Sequence, residues 1–495
     1  DYLSREDKLR IVEESQIDTL KWETITPNAQ GDWINQRDPN YESWQSIGEG
    51  QVPVFASYTA GVQTNRDAWV YNFSLPGLRD SAQRLIETYN EERERVHRTR
   101  AADLKAGAKV RDLVTNDETR IKWTSGLFSD LAKNRAISYD AGATYCGLYR
   151  PFCKQWLNAS DGIIHRPAVL HRYFPTPGHD NIGFYLTGVS SHYDFGALIV
   201  DTVPNLHVLD TGQFFPRWTW EPVGGRHAAE AGMLDLSGGK DAEESDGAVG
   251  QEGEVLGGYR RVDNITDATL RSYQAAYGPE VTKDDVFYYV YALLHSPEYR
   301  TRYGADLKKS LPHIPLVASR EDFVAFITAG RGLADLHLDY ESVEPAPLSL
   351  VVDGQEVPWD LRETISPSLL HVEKMRYDRV RRDGKRQDDK TSIVYNEHVT
   401  ISGIPAQAQD YLLGSRSVLD WLLDRYRVST HKASGIVNDP NDWMAEGAGG
   451  GPTASAQPRY LLDLIARITT VSVQTQEIVT SLPPLDVLTA GNHTK

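Results

Sequence analysis

The sequence predicts an α+β protein with mixed, largely antiparallel sheets and helical subdomains. Three observations carry this. Between residues 143 and 201, short aromatic and β-branched runs are separated by turns rich in Pro, Gly, Asn and Asp, which favours hairpins over βαβ units. From Thr266 to His337 the apolar residues recur at helical spacing. Strand-like runs return between 348 and 403, and two helical stretches close the chain. At 495 residues the chain has room for about two to four domains and a substantial core.

Residues 4–16 have helix character, with Ser4 as a cap and Leu9, Ile11 and Val12 on one face. The segment 22–34 is extended and broken by Pro27 and Gly31. GDWINQR (31–37) is a polar–aromatic turn, and 39–53 reads as a loop. VFASY (54–58) and AWVYNF (68–73) have strand character, and Pro76–Gly77 ends the second. A helix is expected from Leu78 to about Arg100, its later half a solvated face of alternating Arg and Glu. ATYCGLYRPF (143–152), AVLHRYF (168–174), IGFYLTG (182–188) and FGALIVD (195–201) are strand candidates.

Residues 222–258 are poor in aromatics and rich in Gly, Ala, Glu and Asp, the composition of a disordered insertion. Helices are predicted over 266–277 and 282–296, the second opened by a Thr282/Asp285 capping box. In the second, Phe287, Tyr288 and Tyr291 read as core rather than as a stacking platform. Glu321–His337 is a further amphipathic helix. His337, Asp339 and Glu341 beyond it read as solvated side chains at a helix end rather than as metal ligands. LSLVV (348–352), HVEKMRY (371–377) and SIVYNEHVTISG (392–403) are strands, and DRVRRDGKRQDDK between the last two is a hairpin tip. Helices over 417–427 and 458–481 follow. The resulting division is a connector, 1–52, and a main unit, 53–495. That unit comprises an α/β part (53–221), the insertion (222–258), a helical part (259–345) and a C-terminal α/β part (346–495).

The chain carries 52 Lys and Arg against 69 Asp and Glu, a formal charge of −17, which argues against indiscriminate polyanion binding. The charge is uneven. Residues 221–258 hold nine acids and two bases, whereas 374–390 hold eight bases and four acids. A local basic surface therefore remains open to an anionic partner. Cys146 and Cys153 read as reduced thiols, with no second pair to build a metal site. No apolar run reaches membrane-spanning length and no signal peptide opens the chain, so a soluble, cytoplasmic protein is expected. The first residue is Asp1 rather than Met, as expected of a piece of a longer polypeptide.

The densest chemistry lies in YTAGVQTNRDAWVYNFS (58–74), where Asn65, Arg66 and Asp67 put an amide, a planar cation and a carboxylate side by side. Such groups suit base edges or phosphates. The ordinary alternative is a capped turn, with Asn65 and Asp67 bonding their own backbone and Arg66 paired with a carboxylate. No Gly-rich phosphate loop, G-x-S-x-G elbow, H-E-x-x-H or zinc-spaced cysteine pair is present. Asp383-x-Lys385 and Asp388-x-Lys390 imitate half of a nuclease site, but in a charged stretch where such spacings arise by chance. The residues alone leave two readings open, a nucleic-acid-binding unit or a protein-interaction scaffold built on the aromatic strands. An isolated hydrolase with unpaired acids is a third.

A series of motifs adds to this: GDWINQR (31–37), the stretch 58–74, YRPF (149–152), LLHSPEYR (293–300), LPHIPL (311–316), ITAGRGLADLHLDYE (327–341), 399–426 and SGIVNDPNDW (434–443). In order, they resemble the C-terminal specificity region of single-chain type ISP restriction–modification enzymes. The resemblance implies a target-recognition domain for double-stranded DNA, acting in phage defence beside upstream N6-adenine methyltransferase and helicase-like nuclease regions. It makes 1–52 the end of the methyltransferase. It implies S-adenosylmethionine, ATP and Mg for the parent and no cofactor or metal for this segment, which lacks the Asn/Asp-Pro-Pro-Tyr/Phe motif. The candidate DNA contacts are Asn65, Arg66, Lys374, Arg376, Arg379, Arg381, Arg382, Lys385 and Arg416.

Overall fold

The computed structural model describes residues 5–14, 23–34, 36–167, 170–189, 191–223, 253–382, 384–451 and 453–488. Within them the fold is α+β, with several small sheets whose strand pairs are antiparallel except for 147–148 against 203–204.

One three-stranded sheet organises the rest. Gly183–Thr187 lies between Ala197–Val200 and Gly212–Pro216, and a hydrophobic core sits on each of its faces. Side chains alternate along a strand, so Tyr185, Leu198, Val200 and Phe214 enter the first core. Phe184, Leu186, Ala197, Ile199 and Phe215 enter the second. Burial on both faces explains why IGFYLTG and FGALIVD are unbroken apolar runs rather than alternating ones.

The second core is mainly helical. Asp267–Tyr277, Lys283–Leu293 and Arg320–Leu338 pack over it, and the Thr282/Asp285 capping box forms as the sequence predicts. A Cβ at Gly330 would collide with the Tyr288 carbonyl, so the close approach of the last two helices requires glycine there. The connector also contributes. Tyr41 and Ile47 are buried in this core, and Gln45–Ser46 pairs with His313–Ile314.

The first core holds the helix Leu75–Thr99, capped by Ser74, and the sheet 71–72, 153–158, 144–150, 203–204. It extends into a five-stranded sheet ordered 355–357, 349–352, 399–402, 385–394, 376–382, and into the helices Val418–Arg425 and Tyr460–Thr480. Lys154 ties the two halves of this core to Glu341 at 2.6 Å, and the Tyr460 hydroxyl donates to the same carboxylate at 2.6 Å.

Several expected elements differ. Residues 54–58 make only an isolated bridge at Phe55, because their amides pair with Ser46, Ile47 and Asn264 rather than with a strand. Instead of a strand over 68–73, Asp67–Val70 forms a helical turn and only Tyr71–Asn72 is strand. Leu170–Tyr173 is helical rather than extended. Short aromatic runs fit either state, and tertiary contacts decide between them. The strand expected at 371–377 starts at Arg376. Most of the acidic stretch 222–258 lies outside the described residues, but its edges are ordered into a sheet. Val255–Leu256 pairs with Tyr259–Asp263, which pairs with Trp218–Pro222. His337 is not solvated. It is buried between the two cores, sharing hydrogen bonds with the Tyr291 hydroxyl at 2.6 Å and the Thr475 hydroxyl at 2.9 Å.

Candidate nucleic-acid interface

The stretch 58–74 forms a tight turn at its polar centre. Asn65 takes φ +54°, a left-handed conformation that Asn tolerates better than most residues. The Thr64 hydroxyl accepts from the Arg66 amide at 3.1 Å and donates to the Asp67 carboxylate. That local bonding turns the chain into Asp67–Val70, after which Tyr71–Asn72 joins Trp156–Leu157 in a sheet.

The far end of the stretch is pinned to a segment 365 residues away. Asn72 Nδ2 donates to the Val437 carbonyl at 3.0 Å, and the Phe73 amide donates to Asn438 Oδ1 at 2.9 Å. The Ser74 hydroxyl and Leu75 amide donate to the Glu446 carboxylate at 2.7 and 2.8 Å. Between these segments lies a cleft of about 330 Å³, whose walls come from four parts of the chain. They are Asn65–Trp69 with Tyr71, Lys122, Tyr149 with Gln155, and Ser429–His431 with Ile436 and Asn438. Three separate motifs, in 58–74, 149–152 and 434–443, therefore meet in one place.

Arg66 is the unusual group in this wall. It is 4% exposed. Its Nη2 donates to the Thr124 hydroxyl, while Nε and Nη1 are buried without a hydrogen-bond partner. Among the described residues no carboxylate pairs with it, so the pairing expected of an ordinary turn is not what forms, and burial pushes the guanidinium down to about 9. Asn65 is exposed and accepts from Gln63 Nε2 at 3.1 Å. Lys122 is partly exposed, 3.4 Å from Glu118. Beside the cleft the Arg150 guanidinium lies 4.1 Å from the Tyr149 ring centre.

The basic stretch 374–390 forms a second feature, an antiparallel hairpin of Arg376–Arg382 and Lys385–Val394. Gly384, beside the turn, takes φ +74°, a left-handed conformation that suits glycine. Arg381 pairs across with Arg386, and Arg382 with Lys385. Like charges directly opposite each other destabilise a ladder, so the Arg381–Arg386 pair is a local cost that an anion would offset. Arg381, Lys385 and Arg386 are exposed, as are Lys374 and Arg376 at the root. Arg379 is exposed but meets Asp388 across the hairpin at 3.2 Å. Lys390, further from the tip, is bound to Asp420 at 2.5 Å over the Tyr377 ring. The hairpin root adjoins the cleft wall, since Lys374 bridges Arg427 and the Val428 amide donates to the Glu373 carbonyl, just before Ser429.

Arg416 is drawn into the fold instead of standing free. It pairs with Asp424 at 3.1 Å, donates to the Asp420 carbonyl at 3.0 Å and stacks on Trp421. Sequence reasoning missed Lys122, Tyr149, Gln155, His431 and Asn438 as companions of Arg66. Two of the motifs contain some of these residues, but no local pattern places them together. Among the described residues, no group of three or more His, Cys, Asp or Glu could hold a metal ion, and both cysteines are free thiols. Burial pushes the Cys153 thiol up to about 12, which makes it inert as a nucleophile. No described helix is long and apolar enough to cross a membrane.

Residues 53–464 match the family described as the type ISP C-terminal specificity domain. The structure is similar to that of a nuclease-deletion mutant of the type ISP restriction–modification enzyme LlaGI in complex with a DNA substrate mimic. The identity is 30% and the TM-score 0.74, over 99% of this chain and 32% of that one. It is also similar to the ATP-dependent type ISP enzyme LlaBIII bound to DNA, at 27% identity and TM-score 0.72, over 94% of this chain and 26% of that one. The cryo-EM structure of a DrdV–DNA complex is similar at 26% identity and TM-score 0.71, over 98% of this chain and 42% of that one. The chain thus spans between 26% and 42% of the length of these proteins. No curated protein matches it.

Proposed function

The chain belongs to the type ISP C-terminal specificity domain family, and from that premise we propose that it recognises a specific double-stranded DNA sequence for an adenine-methylating restriction–modification enzyme. The observation that carries this reading is the likeness, over nearly the whole chain, to three proteins solved in complex with DNA or a DNA substrate mimic. Two features of the chain support it. The exposed hairpin tip offers several cations on one projection, and the cleft beside Arg66 holds a cation without a counterion. Phosphate contacts of this kind fix register on the duplex, while base contacts, made by residues that should differ between family members, supply the sequence.

In this reading the chain grips the duplex while upstream regions of a longer cytoplasmic polypeptide, using S-adenosylmethionine, ATP and Mg, carry out methylation and cleavage. The target adenine would leave the stack there, so the grip must hold the flanking duplex. Exposed apolar side chains near the start, Trp33 at 61% and Ile34 at 72%, suit a seat for such a neighbour.

A mobility-shift titration of the 495-residue chain on duplex DNA at rising salt tests the proposal. Binding that weakens steeply with salt is expected. Absence of binding at low salt would favour the protein-interaction scaffold, and metal-dependent cutting by the chain alone would favour a hydrolase. Incubation with labelled S-adenosylmethionine should transfer no methyl group, because the chain has no cofactor loop or methyltransferase motif.

A further inference from the structure

We propose that the cleft beside Arg66 is an oxyanion site that takes one phosphate group, with Arg66 as its buried anchor and Lys122 as a partly exposed second cation. The site itself stands on the geometry alone. It rests on the DNA reading only for the source of the phosphate, the duplex backbone.

Arg66 lines the cleft, and two of its three guanidinium nitrogens are covered from water and without a partner among the described residues. Trp69, also in the wall, has a buried indole N–H without a partner. These groups can only donate, so what completes them is an acceptor. A neutral acceptor would leave the buried charge unbalanced, whereas an anion supplies the missing counterion. The guanidinium fork matches phosphate oxygens, and charge-assisted bonds of this kind are the stronger ones.

The rest of the wall narrows the ligand. Lys122 adds a cation, partly offset by Glu118. Asp67, whose carboxylate is held by the Thr64 hydroxyl, adds a negative charge to the same wall. His431 shares a 2.7 Å hydrogen bond with Ser434. One carboxylate beside the anchor weighs against a doubly charged ligand, so a singly charged phosphodiester fits better than a terminal phosphate. A volume of about 330 Å³ admits the phosphate together with its ester arms.

Two measurements on the 495-residue chain test this. In the first, the melting temperature is followed against dimethyl phosphate and inorganic phosphate, with chloride at matched ionic strength as reference. The wild type should rise in phosphate. Arg66→Gln should melt at or above the wild type in chloride and show no phosphate response, and Arg66→Lys should restore part of it. In the second, DNA affinity is measured against salt. Arg66→Gln should lower the log–log slope by about 0.9, one phosphate contact, equally on every duplex.

A phosphate response that survives in Arg66→Gln, or none in the wild type, overturns the site. A response lost in the variant with an unchanged DNA slope supports an anion site but overturns the backbone as its source. Failure of the wild type to bind DNA at all would defeat the functional reading while the melting series still decides the site.

Discussion

Two buried arginines, on opposite sides of the molecule's chemistry, behave differently. Arg217 is 3% exposed and Arg66 is 4% exposed, so both have left water almost completely. Arg217 is met by carboxylates. It pairs with Asp263 and, at 2.9 Å, with Asp284, and it stacks on Trp218. Arg66 meets only a threonine hydroxyl and lies in a cleft wall. The first cation is part of the scaffold, holding the sheet 218–263 to the helix Lys283–Leu293. The second is incomplete until an anion arrives. Burial alone does not make the distinction. Arg300 is half-buried with an unsatisfied Nη2, but its Nε donates to the Leu294 carbonyl at 2.6 Å.

The contrast can be broken most strongly by neutralising each arginine. Arg217→Met should destabilise the chain by about 1–3 kcal/mol, because it removes the hydrogen bonds to two carboxylates and the stacking on Trp218. Arg66→Met should do the opposite in phosphate-free buffer, stabilising by up to about 1 kcal/mol by removing an unpaired buried charge. Denaturant titration of both variants checks the pair, and a shared sign would refute the contrast.

A third buried cation-former, His337, sharpens the comparison through pH. Burial, with Arg300 nearby, pushes its imidazole down to about 3. Tyr291, Thr475, His295 and the stacked Tyr411 surround it. The unfolded chain binds a proton near pH 6.5 and the folded chain does not until about 3. Stability should therefore fall as pH drops through that window, by about 1.4 kcal/mol per unit for this group. His337→Gln should flatten the slope of stability against pH between these values.

The smallest effect on stability belongs to the hairpin. Arg379→Ala, Arg381→Ala and Arg382→Ala together should change stability by no more than about 0.5 kcal/mol, since Arg379 and Arg381 are exposed. The same triple variant should reduce the salt slope of DNA binding by up to about three contacts' worth. An unchanged slope would remove the tip from the interface.

Local chemistry was legible in the sequence where neighbours in the chain decide it. The Thr282/Asp285 capping box, the hairpin of Arg376–Arg382 with Lys385–Val394 and the apolar strands 183–187 and 197–200 all form where the residues predict. What was not legible depends on distant partners. Asp67–Val70 is helical because Thr64 bonds its start and the sheet takes Tyr71, not because of its composition. The burial of Arg66 needs Thr124, 58 residues away, and the facing wall needs Asn438 and His431. Arg416 looks like a free cation until Asp424 and Trp421 are seen beside it. The family motifs lie far apart in the chain, and nothing in them shows that three of them share one cleft.

The most direct test of the account is selection from a randomised duplex pool, run in parallel on the wild-type 495-residue chain and on Arg66→Gln. Recognition of a specific sequence predicts one enriched consensus for the wild type, and a phosphate role for Arg66 predicts the same consensus at lower affinity for the variant. A wild type that enriches nothing would contradict the recognition function. A variant whose consensus changes at one base would make Arg66 a reader of sequence.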